Sequence, residues 1–231
     1  MAAIDARRAV PLVLTLNGGF VDTASFLALQ GLFTAHVTGN FVTLGAALVL
    51  GTSGAIAKLL TLPVFCVVVI ASRLTGTMLR NRSLPAFEIL IGVKILFLVA
   101  AAAFAIHFGP FHDGDSLEAI ATGMLLVTAM AIQNAVHRVH LGSAPPSTIM
   151  TGTTTQLMLD IADKIYSPGA QSVATSSRLV PTAINILVFG VGCGAAALAY
   201  ARFGVGCFIV PPLVAVVSLV VRLAQSSQAD S

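Results

Sequence analysis

"FTAHVTGNFVTLG", residues 33–45, follows one long apolar run and opens another. His36, Thr38, Gly39 and Asn40 stand in the middle of it. They are residues suited to water or to irregular backbone, between flanks suited to lipid. How the chain accommodates them decides the fold.

The flanks settle the solvent first. Of 231 residues, 57% are hydrophobic and 9% charged, with a mean hydropathy of +0.96. Soluble domains carry about 25% charged residues. Runs such as "LPVFCVVVIA" (62–71) and "ILFLVAAAAFAI" (95–106) belong in a bilayer or under protein. A spanning helix needs about 20 mostly apolar residues. Six segments are long enough, at approximately 10–31, 59–79, 86–108, 118–138, 179–201 and 205–223. Arg7 and Arg8 precede the first run, which reaches Leu32 without an A-x-A-like site, so it reads as a retained helix and not a signal peptide. The net charge of +3 comes from scattered basic residues that form no patch, which excludes a nucleic-acid partner. Cys66, Cys193 and Cys207 lie in apolar stretches and read as small buried hydrophobes.

Two further segments are short and polar: 37–52, and 147–165, "STIMTGTTTQLMLDIADKI". Charge asymmetry indicates whether they cross. If both dip in and return, with the N-terminus inside, the inside holds Arg7, Arg8, Arg80, Arg82, Arg138, Lys164, Arg178 and Arg222. The outside then holds Lys58 and Arg202, eight against two. If both span, the ratio falls to six against four. The positive-inside rule favours six spans with both termini cytoplasmic. "VTGNFVTLG" (37–45) aligns with "MTGTTTQLM" (150–158) at a shift of 113 residues, matching at Thr38 with Thr151, Gly39 with Gly152 and Leu44 with Leu157. The expected architecture is all-α: one integral-membrane domain over 1–231, as an inverted 3+3 repeat of about 10–108 and about 118–223. Interrupted segments at matching positions of inverted repeats point to a site at their interface.

Candidate site residues follow. Thr38-Gly39-Asn40 suits a helix break whose freed backbone groups need protein or water, and a helix restarting there directs a partial positive charge at the spot. Thr151-Gly152-Thr153 is its counterpart. The competing reading is close helix packing. Asp22 sits in mid-segment, where a charge costs about 2.5–3.5 kcal/mol on insertion scales. It calls for a partner or a proton, and Arg73 and Lys94 are the basic residues at comparable depth. Asn134 lies 17 residues before Thr151, as Asp22 lies 16 before Thr38, and is its neutral counterpart. His36 titrates or binds solute beside the motif. His137 and His140 sit at an inner helix end, where the C-terminal dipole favours a cation. His107, His112, Asp113 and Asp115 read as a solvated loop rather than a metal site; Asp160, Asp163 and Lys164 read as a solvated helix end. Gly190 and Gly194 form a G-x-x-x-G contact. Pro63 and Pro211-Pro212 are expected to kink their helices. The sequence holds no P-loop, no HExxH, no nucleophile elbow and no dinucleotide fingerprint.

"GGFVDTASFLALQGLFTAHVTGNFVTLG" (18–45) resembles the signature of the YoaK-like family of bacterial integral-membrane proteins, known chiefly as a domain of unknown function. The likeness rests on Gly19, Asp22, Ala24, Ser25, Gly31, Phe33, Thr38, Gly39 and Asn40 in order, with Thr23 where the pattern has alanine. In the second half Gln133, Asn134 and Thr151-Gly152 match, while Thr153 replaces the asparagine. The resemblance implies a bacterial cytoplasmic-membrane protein of about six spans and no particular substrate. The reading reached is a small-solute transporter, not an enzyme and without a cofactor, with the Asp22 carboxylate carrying a coupling proton. Its partners are the bilayer, an unidentified solute and, as a homo-oligomer, other copies of the chain. The alternatives are a channel or passive permease, and a non-transporting sensor, assembly partner or lipid-modifying enzyme.

Overall fold

The computed structural model describes residues 6–166 and 173–229; the side chains of Arg7 and Arg8, counted above, are not among those described. The described chain is helical: α1 (Ala6–Ala28), α2 (Gly39–Leu50), α3 (Ala55–Asn81), α4 (Ala86–Phe108), α5 (Leu117–His140), α6 (Met150–Tyr166), α7 (Val173–Phe203), a 3₁₀ turn (Gly204–Ile209) and α8 (Val210–Ala229). Ala9–Ala28, α3, α4 and α5 are each long and apolar enough to cross a bilayer, as is the stretch Arg178–Gln225. That stretch has 48 residues. As one straight helix it would be about 72 Å long, over twice a hydrocarbon core of about 30 Å. The 3₁₀ turn, opened by Gly204 at φ +55°, divides it into α7 and α8. Pro211 and Pro212 therefore do not kink a helix. They lie in the first turn of α8, where a missing N–H removes no bond.

The ends of the bundle are recognisable by their polar contacts. At one end the Asp115 carboxylate accepts from the N–H groups of Gly54, Ala55, Ile56 and Ala57 at 2.8–3.3 Å, closing the start of α3. Partial burial pushes the Asp115 pKa up, but these four donors outweigh it and hold it below the usual carboxylate range. Lys58 donates there to the carbonyls of Gln30 and Ser53, and Gln30 donates to that of Phe111. At the opposite end Arg222 meets Glu88 at 3.2 Å, and the rings of Phe87 and His140 lie 5.8 Å apart. Hence α1, α4 and α7 run toward the Asp115 end, and α3, α5 and α8 away from it. The result is six long helices.

The two short helices double back. Gln30 and Gly54 lie together at the Asp115 end. Between them, residues 34–36 bond Asp22, eight residues down α1 and so about 12 Å deeper. Helix α2, with 12 residues, climbs back about 18 Å. From the Glu88 end, the chain after His140 rises until Thr148 bonds Asn134. Helix α6 then returns, and Asp160 meets Arg178 near the start of α7 at 3.1 Å. Asp160 is thus not solvated as expected; it is buried, ion-paired, and also bonded by Gln156.

Helix α1 packs along α7 and α8, and α5 along α3 and α4; α2 lies on α3, and α6 on α7. The closest approach is between α1 and α7. A Cβ on Gly192 would stand 2.3 Å from the Leu16 carbonyl oxygen, and one on Gly19 2.3 Å from that of Phe189. Gly190 and Gly194 meet nothing within 4 Å. The expected G-x-x-x-G contact is therefore replaced by Gly192, which faces the other way, two residues being about 200° on a helix. Phe20, Val21, Leu29, Leu32, Leu98, Met130 and Phe208 contribute to the main core. Val67, Ile70, Leu74, Leu96, Leu187 and Leu198 are exposed, an apolar surface that suits lipid. Cys66 lies on this outer surface, contrary to expectation, while Cys193 is half-buried and Cys207 buried.

Candidate site at the two inward tips

The first tip is organised by Asp22. Its Oδ1 accepts from the N–H groups of Thr34 (2.8 Å) and Ala35 (2.7 Å), with that of His36 at 3.5 Å. Its Oδ2 lies 2.6 Å from His36 Nδ1. Asp22 is 3% exposed. One proton is shared across this Nδ1–Oδ2 contact, and Nε2 of the imidazole has no hydrogen-bond partner among the described residues. The His36 side chain is 34% exposed and lies edge-on to Phe189 and Phe33, with centroids at 5.6 and 6.4 Å.

Neither Arg73 nor Lys94 partners Asp22. Arg73 is exposed on α3 beside a shallow concavity with Arg80 and His140. Lys94 is fully buried and donates to Gln133 Oε1 at 2.5 Å. Sequence position placed these cations at comparable depth, but helix rotation directs them elsewhere.

The T-G-N motif proves to be a local brace. Asn40 accepts from the Phe33 N–H (2.9 Å) and donates to the Phe33 carbonyl (2.7 Å). Gly39 lies under the Phe33 ring, where a Cβ would be 3.0 Å away. Thr38 is exposed and caps nothing with its side chain. The N–H groups of Gly39, Asn40 and Phe41 bond the carbonyls of His36, Val37 and Thr38. The start of α2 therefore offers no free donors to a solute, against the expectation of a helix-terminus site.

The second tip is organised by α5. Asn134 Oδ1 accepts from Thr148 Oγ1 at 2.6 Å, and its Nδ2 donates to the Met130 carbonyl. Gln133 Nε2 donates to the Leu14 carbonyl (2.9 Å) and to Ser147 Oγ (3.1 Å). Asn185 of α7 donates to the Pro146 carbonyl and accepts from Thr15. His137 is buried one turn beyond Gln133. Thr151 and Gly152 are exposed; the buried Thr153 donates to the Ile149 carbonyl. Thr151 lines an open groove of about 590 Å³ with Met150, Thr154, Thr155, Met158 and Leu159.

Helices α2 and α6 do not touch, so T-G-N does not face T-G-T. The tips converge instead through the residues just before those motifs. Thr34–His36 seat on Asp22; Ser147 and Thr148 seat on Gly18, where a Cβ would be 2.9 Å from the Ser147 carbonyl oxygen. Gly18 and Asp22 are one turn apart on the same face of α1, about 6 Å along its axis. Asp22 and Asn134 thus hold tips 12–14 residues downstream of themselves, in the positional relationship expected of them. Sequence reading missed Ser147, Thr148 and Asn185; the adjacent Gln133 and Asn134 in an apolar helix were the available signal.

A family described as "Protein of unknown function (DUF1275)" matches residues 10–221. The chain is 29% identical over 209 residues to "UPF0700 transmembrane protein YoaK" of Bacillus subtilis (strain 168), covering 88% of each chain. No solved structure matches it.

Proposed function

The chain belongs to the DUF1275 family, and on that premise we propose that this multi-pass membrane protein carries a small solute by alternating access, coupled to a proton on His36. It acts as a carrier and not as an enzyme. One observation bears most of the weight: two inward dips, entering from opposite ends, seat on adjacent turns of α1. The packing pattern supports an inverted repeat. Exchanging α1 with α5, α2 with α6, α3 with α7 and α4 with α8 turns the α1–α7, α1–α8 and α2–α3 contacts into α5–α3, α5–α4 and α6–α7, all of which occur. A two-fold axis in the membrane plane predicts this. Movement of one tip while the other stays seated opens the centre to one side at a time.

His36 is the coupling group in this reading because Asp22 is committed to backbone donors while the imidazole retains a free nitrogen. The Glu88 end, with Arg80, Arg82, Arg138, Arg178 and Arg222, faces the cytoplasm of a bacterial inner membrane. The test is proton entry into proteoliposomes carrying an internal pH dye, on addition of fractionated metabolite pools. Solute-elicited entry that is lost in His36→Gln supports the reading. Solute uptake that ignores the proton gradient, and is unchanged in His36→Gln, overturns the coupling. Absence of any protein-dependent uptake overturns the carrier.

A further inference from the structure

Every other buried charge with a described side chain has its complement. Asp22 has His36 and backbone N–H groups, Asp160 has Arg178, and Lys58 has two carbonyls beside Asp115. Lys94 differs. It is 0% exposed in α4, and its one hydrogen bond among the described residues goes to a neutral amide, Gln133 Oε1. The orientation of that amide follows from its partners: lysine only donates and the Leu14 carbonyl only accepts, so the oxygen faces Lys94 and the nitrogen faces Leu14. Ser147 Oγ accepts from the same nitrogen, which leaves its hydroxyl hydrogen unspent. Two N–H groups of Lys94 and the O–H of Ser147 therefore have no acceptor among the described residues. A buried ammonium without a counter-charge is strongly unfavourable, and unspent donors around a positive charge are complementary to an oxyanion.

The position fits an occupant that comes and goes. Lys94 on α4, Gln133 on α5 and Ser147 on the second tip converge beside Leu14, one turn below Gly18 on α1. Withdrawal of the tip removes Ser147 and uncovers the amine. We propose that the transported solute is a small oxyanion, its carboxylate or phosphate oxygens received by Lys94 and Ser147 with Gln133 orienting the lysine. This rests on the carrier reading and names its substrate class.

The test uses the purified full-length protein in detergent. Thermal unfolding is followed with sodium formate, acetate, lactate, succinate and phosphate, and with glycerol and choline chloride, against sodium chloride at equal ionic strength. At least one oxyanion raises the Tm of the parent protein. The rise is lost in Lys94→Met, and also in Gln133→Glu, which offers the amine an internal carboxylate in exchange for the amide's bond to the Leu14 carbonyl. The proposal is overturned if no oxyanion stabilises, if glycerol or choline stabilises equally, or if Gln133→Glu keeps the full response. Proteoliposome flux of the stabilising anion separates the two readings: binding without flux keeps the site and removes the carrier, whereas flux that persists in Lys94→Met keeps the carrier and removes the site.

Discussion

Replacing Gly192 by alanine should loosen the α1–α7 contact, whereas the same change at Gly190 or Gly194 should not. The added methyl at 192 stands 2.3 Å from the Leu16 carbonyl oxygen and 3.2 Å from the Phe20 nitrogen. A carbon–oxygen contact relaxes at about 3.3 Å, so the helices must separate by about 1 Å. The obstacle is backbone and cannot turn aside. Overpacking costs about 1–3 kcal/mol, and this case belongs at the upper end. Alanine returns about 0.8–1.0 kcal/mol of helix propensity over glycine, which leaves a net loss of about 2 kcal/mol. At Gly190 and Gly194 the methyl meets nothing within 4 Å, so only the propensity gain of about 1 kcal/mol remains. Gly19→Ala meets the Phe189 carbonyl at 2.3 Å and should behave like Gly192→Ala. The double variant should lose less than the sum, because one displacement relieves both clashes. Thermal unfolding of the detergent-purified variants reads these signs. If Gly190→Ala is as damaging as Gly192→Ala, the assignment of the packing face is wrong.

Three further outcomes follow from the tips and the caps. Asp22→Ala strands the N–H groups of Thr34 and Ala35 and should lose about 2–6 kcal/mol, at 1–3 kcal/mol each. Asp22→Asn keeps one acceptor and should lose less; equal stability of Asp22→Ala and the parent protein in equilibrium unfolding would refute the role. Asn40→Ala frees both backbone groups of Phe33, so hydrogen exchange at Phe33 should accelerate, and unchanged protection would count against the brace. The folded pKa of Asp115 is held down, so its contribution is fully present above the unfolded value of about 3.9 and is lost as pH falls through the folded value. The Tm advantage of the parent protein over Asp115→Asn should therefore shrink below about pH 4 and be constant from pH 5 to 7; a constant advantage down to pH 2 would contradict it.

How far the site was legible depended on the residue. Asp22 stood out because a lone carboxylate in an apolar run demands compensation wherever the chain folds. Its partner did not stand out, since His36 reaches it only after the chain turns back at Gln30. Thr38, Gly39 and Asn40 were visible as an interruption, yet the same residues serve a brace or a binding site equally well until neighbours are known. Lys94 could be placed at depth and not in rotation, and so was matched to the wrong partner.

What the sequence determined by itself was whatever depends on local length and composition: the lipid solvent, the long apolar helices, the two short interruptions, and the spacing of Asp22 and Asn134 from them. Those follow from the transfer free energy of consecutive residues, which needs no knowledge of neighbours. Only the tertiary structure decided which face of α7 meets α1, that Gly192 and not Gly190 permits the contact, that α2 and α6 stay apart while the loops before them converge, and that Lys94 meets no counter-charge among the described residues. Each of these is fixed by the rotation of a helix about its axis and by partners over a hundred residues away. A pattern read along one chain does not carry that information.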